Sequence, residues 1–353
     1  MMRPTAVLLL LGLFSWGQVP SPQQLFDQAL AAQKAGDFNA AVAEYQQVLK
    51  LDPSVVPARI NLAAALMQLG RMGEAVDNYR IALRHSPGSA KISTLLGNCL
   101  VMSGRYEEAI QLLRPVETAH PEDLDVAFIL GEALIHAHKP REGLRRIEKV
   151  AVARNDASAW MLAGMTQLQL GEYSRAANSL DKGLKLDASV PGAYTLSGIA
   201  KSGAGDEEGA KGAFRIALQA DPNDFDANLH LGAILRRQGD LKGARPFLAR
   251  ALQLQPGSLP ALYQMAQLEA AEGHNAEAAT DLEGITADAP NILRPHVQLS
   301  GLYYRLQRPE EGMRERKIVD RLLAHPEQQD HRLESDPTLG PEKSVLNGQA
   351  PSP

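Results

Sequence analysis

The sequence predicts an all-α chain built as a solenoid of antiparallel helix pairs. Three observations carry that prediction: a 34-residue period in glycine, the same period in proline, and two columns of small residues in the same register. Glycines fall at Gly36, Gly70 and Gly104, and again at Gly171, Gly205, Gly239 and Gly273, each step being 34 residues. Prolines fall at Pro53, Pro87 and Pro121, then at Pro222, Pro256 and Pro290, with the same step. A fixed period of this length is that of a helix–turn–helix unit, too short to bury its own apolar face and stable only when stacked.

The bulk properties agree. The chain has 353 residues, 44% apolar and only 5% aromatic, which favours helices over sheets. Its formal net charge is -5, with both signs interspersed and no basic block of the kind that marks nucleic-acid binding. Cys99 is the single cysteine, so packing alone must hold the fold.

Taken from the N-terminus, Arg3 precedes an apolar run from Thr5 to Trp16. It is shorter than the ~20 residues of a membrane span and matches the core of a secretory signal peptide. We expect residues 1–17 to be removed, with Ser15 and Gly17 as the small residues before a cut at Gln18, and Pro20 and Pro22 ending any helix. Retention as an N-terminal anchor is the alternative. Both place the repeats outside the cytoplasm, in the periplasm or beyond, with no membrane insertion once the segment is cleaved.

Residues 18–326 then carry nine units: 22–55, 56–89, 90–123, 124–156, 157–190, 191–224, 225–258, 259–292 and 293–326. Position 8 reads Ala29, Ala63, Gly97, Gly131, Gly164, Gly198, Gly232, Ala266 and Ser300; position 20 reads Ala41, Ala75, Ala109, Gly143, Ala176, Ala210, Ala244, Ala278 and Gly312. Small residues there let two helices cross closely, while bulky ones at position 24, such as Tyr45, Tyr79, Leu113, Phe214 and Leu248, fill the space beside the crossing. Glycine at position 15 suits the left-handed turn after the first helix, and Asp-Pro (Asp52-Pro53, Asp221-Pro222) stops the second. Unit 124–156 is one residue short and has His138 for the turn glycine and Asn155 for the proline. We read it as a local irregularity rather than a domain boundary, because apolar residues continue through it. Unit 293–326 has Gln307 for the glycine and a mostly charged second helix with one stripe, Met313, Ile318, Val319, Leu322 and Leu323, as a terminal cap requires. Residues 327–353, rich in Pro, Gly and charge, are expected to be a disordered tail.

Leu62, Ala63, Gly70, Ala75, Tyr79, Ala82 and Pro87 of the second unit all stand in the slots of the tetratricopeptide-repeat (TPR) family, which the chain resembles over about 305 residues. The resemblance implies a right-handed superhelix whose first helices line a concave groove through positions 2, 5, 9, 12 and 13. In this chain those slots hold Phe26, Ile60, Met67, Val101, Met102, Phe128, Ile135, Met161, Met165, Leu168, Leu229, Tyr263 and Tyr304, with Arg236 and Arg237 adding positive charge, supported by Arg294 and Arg305. The alternative for the apolar members is burial between repeats; for the arginines it is a solvated face or a site for an acidic segment. The Lys and Asn carboxylate clamp of chaperone-binding TPRs is missing, since Phe26 and Leu30 occupy its slots and Lys91 and Asn98 lack matching partners. Of the asparagine ladder of sugar-transferase arrays only Asn61 is present.

Motifs of catalysis are absent from the sequence: there is no His-Glu-x-x-His, no Gly-x-Ser-x-Gly, no phosphate-cradling glycine loop and no Cys-x-x-Cys. His136 and His138 form a His-x-His pair with no third ligand nearby, and Cys99 stands in a column where Ala31, Ala65, Ala133 and Ala200 also fall, as a small core residue. The expectation is a non-enzymatic scaffold without cofactor or metal, holding a protein or peptide partner in its groove. An accessory role beside an envelope enzyme or secretion complex, and self-assembly into homo-oligomers, are the alternatives.

Overall fold

The computed structural model describes residues 20–333, and every regular element among them is helical. Nine helix pairs follow one another. The first four begin with α1 (Pro22–Lys34) and α2 (Phe38–Leu51), α3 (Val56–Gln68) and α4 (Met72–His85), α5 (Ala90–Met102) and α6 (Tyr106–Ala119), α7 (Leu124–His136) and α8 (Pro140–Arg154). The other five are α9 (Ala157–Gln169) and α10 (Tyr173–Leu186), α11 (Ala193–Gly203) and α12 (Glu207–Ala220), α13 (Phe225–Arg237) and α14 (Leu241–Leu254), α15 (Leu259–Glu272) and α16 (Asn275–Asp288), α17 (Leu293–Arg305) and α18 (Pro309–Ala324). All nine expected units are present with two helices each. The expected signal segment lies outside the described residues.

The helix starts follow from side chains at the last position of the preceding unit. Ser89, Asp123, Asp156, Asp224 and Ser258 each accept a hydrogen bond from a backbone N–H of the first turn, and Ser21 with Gln24 forms a complete capping box. Each such cap is worth about 1 kcal/mol. The turn inside each pair is left-handed at position 15. The seven glycines there have φ between 71° and 90°, and His138 (φ 60°) and Gln307 (φ 58°) adopt the same conformation although they carry a side chain.

The small columns act as the sequence implies. A Cβ built on Gly97 would lie 2.7 Å from Leu113, one on Gly164 2.6 Å from Leu180, and one on Gly232 2.7 Å from Leu248. Position 8 therefore faces position 24 of the same pair, and those bulky residues are fully buried. Gly143 is tighter still: an added Cβ would collide with the Gly131 carbonyl and the Ile135 side chain.

The chain divides into two compact units, residues 1–143 and 144–353. The division falls inside the continuous helix α8, in the shortened repeat where the sequence suggested only an irregularity. Unit one holds a single core cluster running from Leu25 to Leu134. In unit two the core is broken into clusters centred on α9–α11, α12–α15 and α15–α17, with a small one between α17 and α18.

Two polar devices that the sequence reading did not identify tie successive pairs together. The first is a side chain at position 4 that donates to a proline carbonyl six residues earlier: Arg59 to Pro53 (3.0 Å), Asn228 to Pro222 (3.1 Å) and His296 to Pro290 (3.0 Å). Trp160 occupies the same slot after the repeat that lost a residue, and its buried indole N–H finds no acceptor. The second is an ion pair from position 25 to position 19 of the next pair: Arg80–Glu108 (2.6 Å), Arg114–Glu142 (3.0 Å) and, with the signs exchanged, Glu148–Arg175 (2.5 Å). At this exposure each contributes little to stability, about 0–1 kcal/mol, but their geometry sets which face meets which.

The first residues of the expected tail depart from expectation, while 334–353 lie outside the described residues. Residues 327–333, placed in the disordered tail, fold back onto the last two repeats. The Asp330 N–H donates to Asn291 O (3.0 Å), the Gln329 amide donates to Leu322 O (2.8 Å), and Leu333 is fully buried. Leu333 stands 34 residues beyond Leu299, in the apolar slot of a tenth unit, and burying a leucine stabilises by roughly 1.5–3 kcal/mol. The cap stripe on α18 is also narrower than expected: Val319 and Leu322 are buried, while Met313 and Leu323 are half exposed.

The left-handed backbone at Gln307 gives a direct check. Left-handed φ costs a non-glycine residue on the order of 1–2 kcal/mol, and Gln307 is exposed. Gln307→Gly is expected to raise stability by about 1 kcal/mol, read as a higher denaturant midpoint at unchanged helical circular dichroism.

Candidate functional site

First helices of successive pairs touch directly at α5 with α7 in unit one, and at α9 with α11, α11 with α13 and α13 with α15 in unit two. Every residue expected to line a groove lies on the first helix of its pair.

The structure sorts those residues into two groups. Val101, Met161, Leu229 and Tyr263 are buried, and their side chains pack the core instead of offering a surface. Met161, for example, lies against the gap left by Gly183 on α10. Phe26, Ile60, Met67, Phe128, Ile135 and Leu168 are half-buried. Met102, Met165 and Tyr304 are about half exposed, at 57%, 50% and 49%. In unit one the surviving surface is thus Phe26 on α1, Ile60 and Met67 on α3, Met102 on α5, and Phe128 and Ile135 on α7. A cleft of about 450 Å³ lies beside it, walled by Leu30, Gln33 and Lys34 of α1, Phe38 of α2, and Ala64 and Gln68 of α3.

The arginines expected to charge the C-terminal groove are committed to neighbouring repeats. Arg237 pairs with Glu207 (3.0 Å), and Arg236 donates to the Gln264 side chain (3.1 Å). Cys99 is completely buried, and burial pushes its thiol pKa up, away from the reactive thiolate. The His136 ring stacks on Tyr106 with centroids 4.9 Å apart, and His138 sits in the left-handed turn.

One residue of this face was missed. Glu132 occupies position 9 of α7, a column otherwise made of Leu30, Ala64, Asn98, Met165, Ile199, Ala233, Gln267 and Gly301. It is the only ionisable residue in that column, a signal available in the sequence but invisible to a search for apolar residues. Its carboxyl is half-buried, burial raises its pKa, and His136 one turn on lowers it again. Among the described residues no lysine or arginine pairs with it.

The pattern of small columns, left-handed turns and paired helices has its counterpart among known proteins. A family model described as tetratricopeptide repeat protein 21 N-terminal ARM repeat matches residues 70–278, and one described as tetratricopeptide repeat matches residues 26–90. The chain belongs to the TPR family. No curated protein matched it. Among solved structures, PilF of Pseudomonas aeruginosa is 22% identical, with 58% of this chain and 94% of that one covered at a TM-score of 0.51. YrrB, described as a TPR protein with an unusual peptide-binding site, is 21% identical over 52% of this chain and 95% of its own, at 0.45. A TPR protein of Parabacteroides merdae is 15% identical over 70% and 98%, at 0.47. At such identity the likeness to PilF is one of fold: an α-solenoid of helix pairs.

Glu132 makes a pH prediction for this TPR face. A carboxyl whose pKa is raised on folding costs stability above that pKa, and the cost disappears below the ordinary glutamate range near 4.3. Glu132→Gln should therefore melt above the wild type at pH 7.5, by on the order of 1–3 °C, and converge with it at pH 4.

Proposed function

We propose that this TPR chain is an exported, non-enzymatic scaffold that holds a peptide or protein partner on the first-helix face of its repeats. The observation that carries the reading is the row of incompletely buried apolar side chains in unit one, Phe26, Ile60, Met67, Met102, Phe128 and Ile135, beside the cleft at Gln33, Lys34 and Gln68. Leaving such side chains partly in water forgoes on the order of 1 kcal/mol each, and their recurrence on the first helices of successive repeats supports a surface that is covered in use. Methionine and phenylalanine suit an adaptable apolar contact, and the flanking glutamines offer donors and acceptors to the backbone of an extended partner. The apolar run from Thr5 to Trp16 supports action outside the cytoplasm. The scaffold architecture and the want of any catalytic motif in the sequence support a binding role over catalysis.

The test is crosslinking in the native envelope fraction, comparing the wild type with Phe128→Glu plus Met102→Glu at equal helicity. The expected result is a defined set of crosslinked partners that the variant loses. Retention of the same partners by the variant counts against the first-helix face, and recovery of the wild type only from the cytoplasmic fraction counts against export.

A further inference from the structure

The apolar face of unit one contains one group that is out of place in it. Glu132 lies one helical turn from Phe128 on one side and His136 on the other, next to Ile135, on the face that bears Met102 of α5. A half-buried carboxylate among apolar neighbours costs free energy unless a cation or several hydrogen bonds compensate it. Several other carboxylates of this unit have a cation, Glu74 from Arg71, Glu107 from Lys139, and Glu108 from both Arg80 and Arg105, while Glu44 on α2, like Glu132, has none among the described residues. For Glu132 the charged group beside it is the exposed imidazole of His136, and among the described residues no lysine or arginine pairs with it. On α5, the adjoining first helix, the same repeat position holds Asn98, whose side chain carries no hydrogen bond among the described residues. An amide and a carboxylate therefore occupy equivalent places on two touching helices, both without a protein cation, inside a patch made of Phe128, Ile135 and Met102.

We propose that Asn98 and Glu132 form the polar centre of the unit-one face and receive the ammonium or guanidinium of a basic side chain on a partner segment whose flanking residues are apolar. The inference rests on the first-helix reading above and names the chemistry of what that face binds. A buried cation on the partner would face an anion and an amide oxygen, while its neighbours cover Phe128 and Met102. The same desolvation that makes Glu132 costly in the free protein strengthens such a pair once water is excluded. An acidic residue at that point of the partner would meet like charge and be rejected.

The experiment measures binding of three N-acetylated, C-amidated pentapeptides, Leu-Leu-X-Leu-Leu with X as Lys, Gln or Glu, by isothermal titration calorimetry on the full chain at pH 7.5 and physiological salt. The expected result is that the Lys peptide binds at least tenfold more tightly than the Gln peptide, and the Glu peptide most weakly. In Glu132→Gln the Lys preference should fall to within about twofold, with the Gln peptide unchanged, and Asn98→Ala should reduce it partially. Equal binding of all three peptides, or a Lys preference that survives Glu132→Gln, overturns the inference while leaving the apolar face as a binding surface. No binding by any of the three up to millimolar peptide overturns both readings. Matching melting curves at pH 4 for the wild type and Glu132→Gln exclude misfolding as the source of a lost preference.

Discussion

Where the two helices of a pair cross, the residue at position 8 meets the side chain at position 24, and the missing atoms at position 8 let the backbones close. Gly97 against Leu113, Gly164 against Leu180 and Gly232 against Leu248 leave less than 3 Å for a Cβ that does not exist. Every other feature follows from that spacing. The fully buried bulky residues fit only because the opposite column is empty, the left-handed turn at position 15 is needed to reverse the chain over so short a distance, and the flat faces left by each pair are what the next pair covers. Since each pair contacts only its neighbours, stability accumulates along the stack instead of residing in one core.

The fold was legible in the sequence because this constraint is periodic. A glycine every 34 residues and two small columns define the hairpin, and the structure returned the same nine units. What escaped detection is aperiodic or depends on burial. The tail was read by composition, yet Leu333 follows the repeat spacing one step beyond the last unit and draws residues 327–333 onto the stack. The position-4 donors Arg59, Asn228 and His296 differ in residue type, so no column announced them. The lost residue in the fourth unit was plain, but its consequences, an indole N–H at Trp160 without an acceptor and a unit division inside α8, needed coordinates.

The candidate face was legible in part. Family slots point to the first helices, but slot position cannot separate a side chain that faces outward from one that turns into the neighbouring repeat. Val101, Met161, Leu229 and Tyr263 turned inward, and Arg236 and Arg237 were taken up by polar contacts between repeats. The reverse error concerned Glu132, whose charge set it outside an apolar search although the column made it conspicuous. Half-buried charge without a partner is a pointer that an apolar search passes over, because its cost is relieved by protonation or by a cation brought from outside.

The most direct test of the central constraint is to fill one crossing. In Gly232→Val, hydrogen exchange resolved by peptide should show faster exchange in α13 and α14 and, to a lesser degree, in the adjoining α12 and α15, while α1 to α6 keep wild-type protection. That outcome would establish that close approach at position 8 holds each pair and that the effect spreads only to neighbours. Unchanged protection in α13 and α14, or a uniform loss along the whole chain, would contradict it.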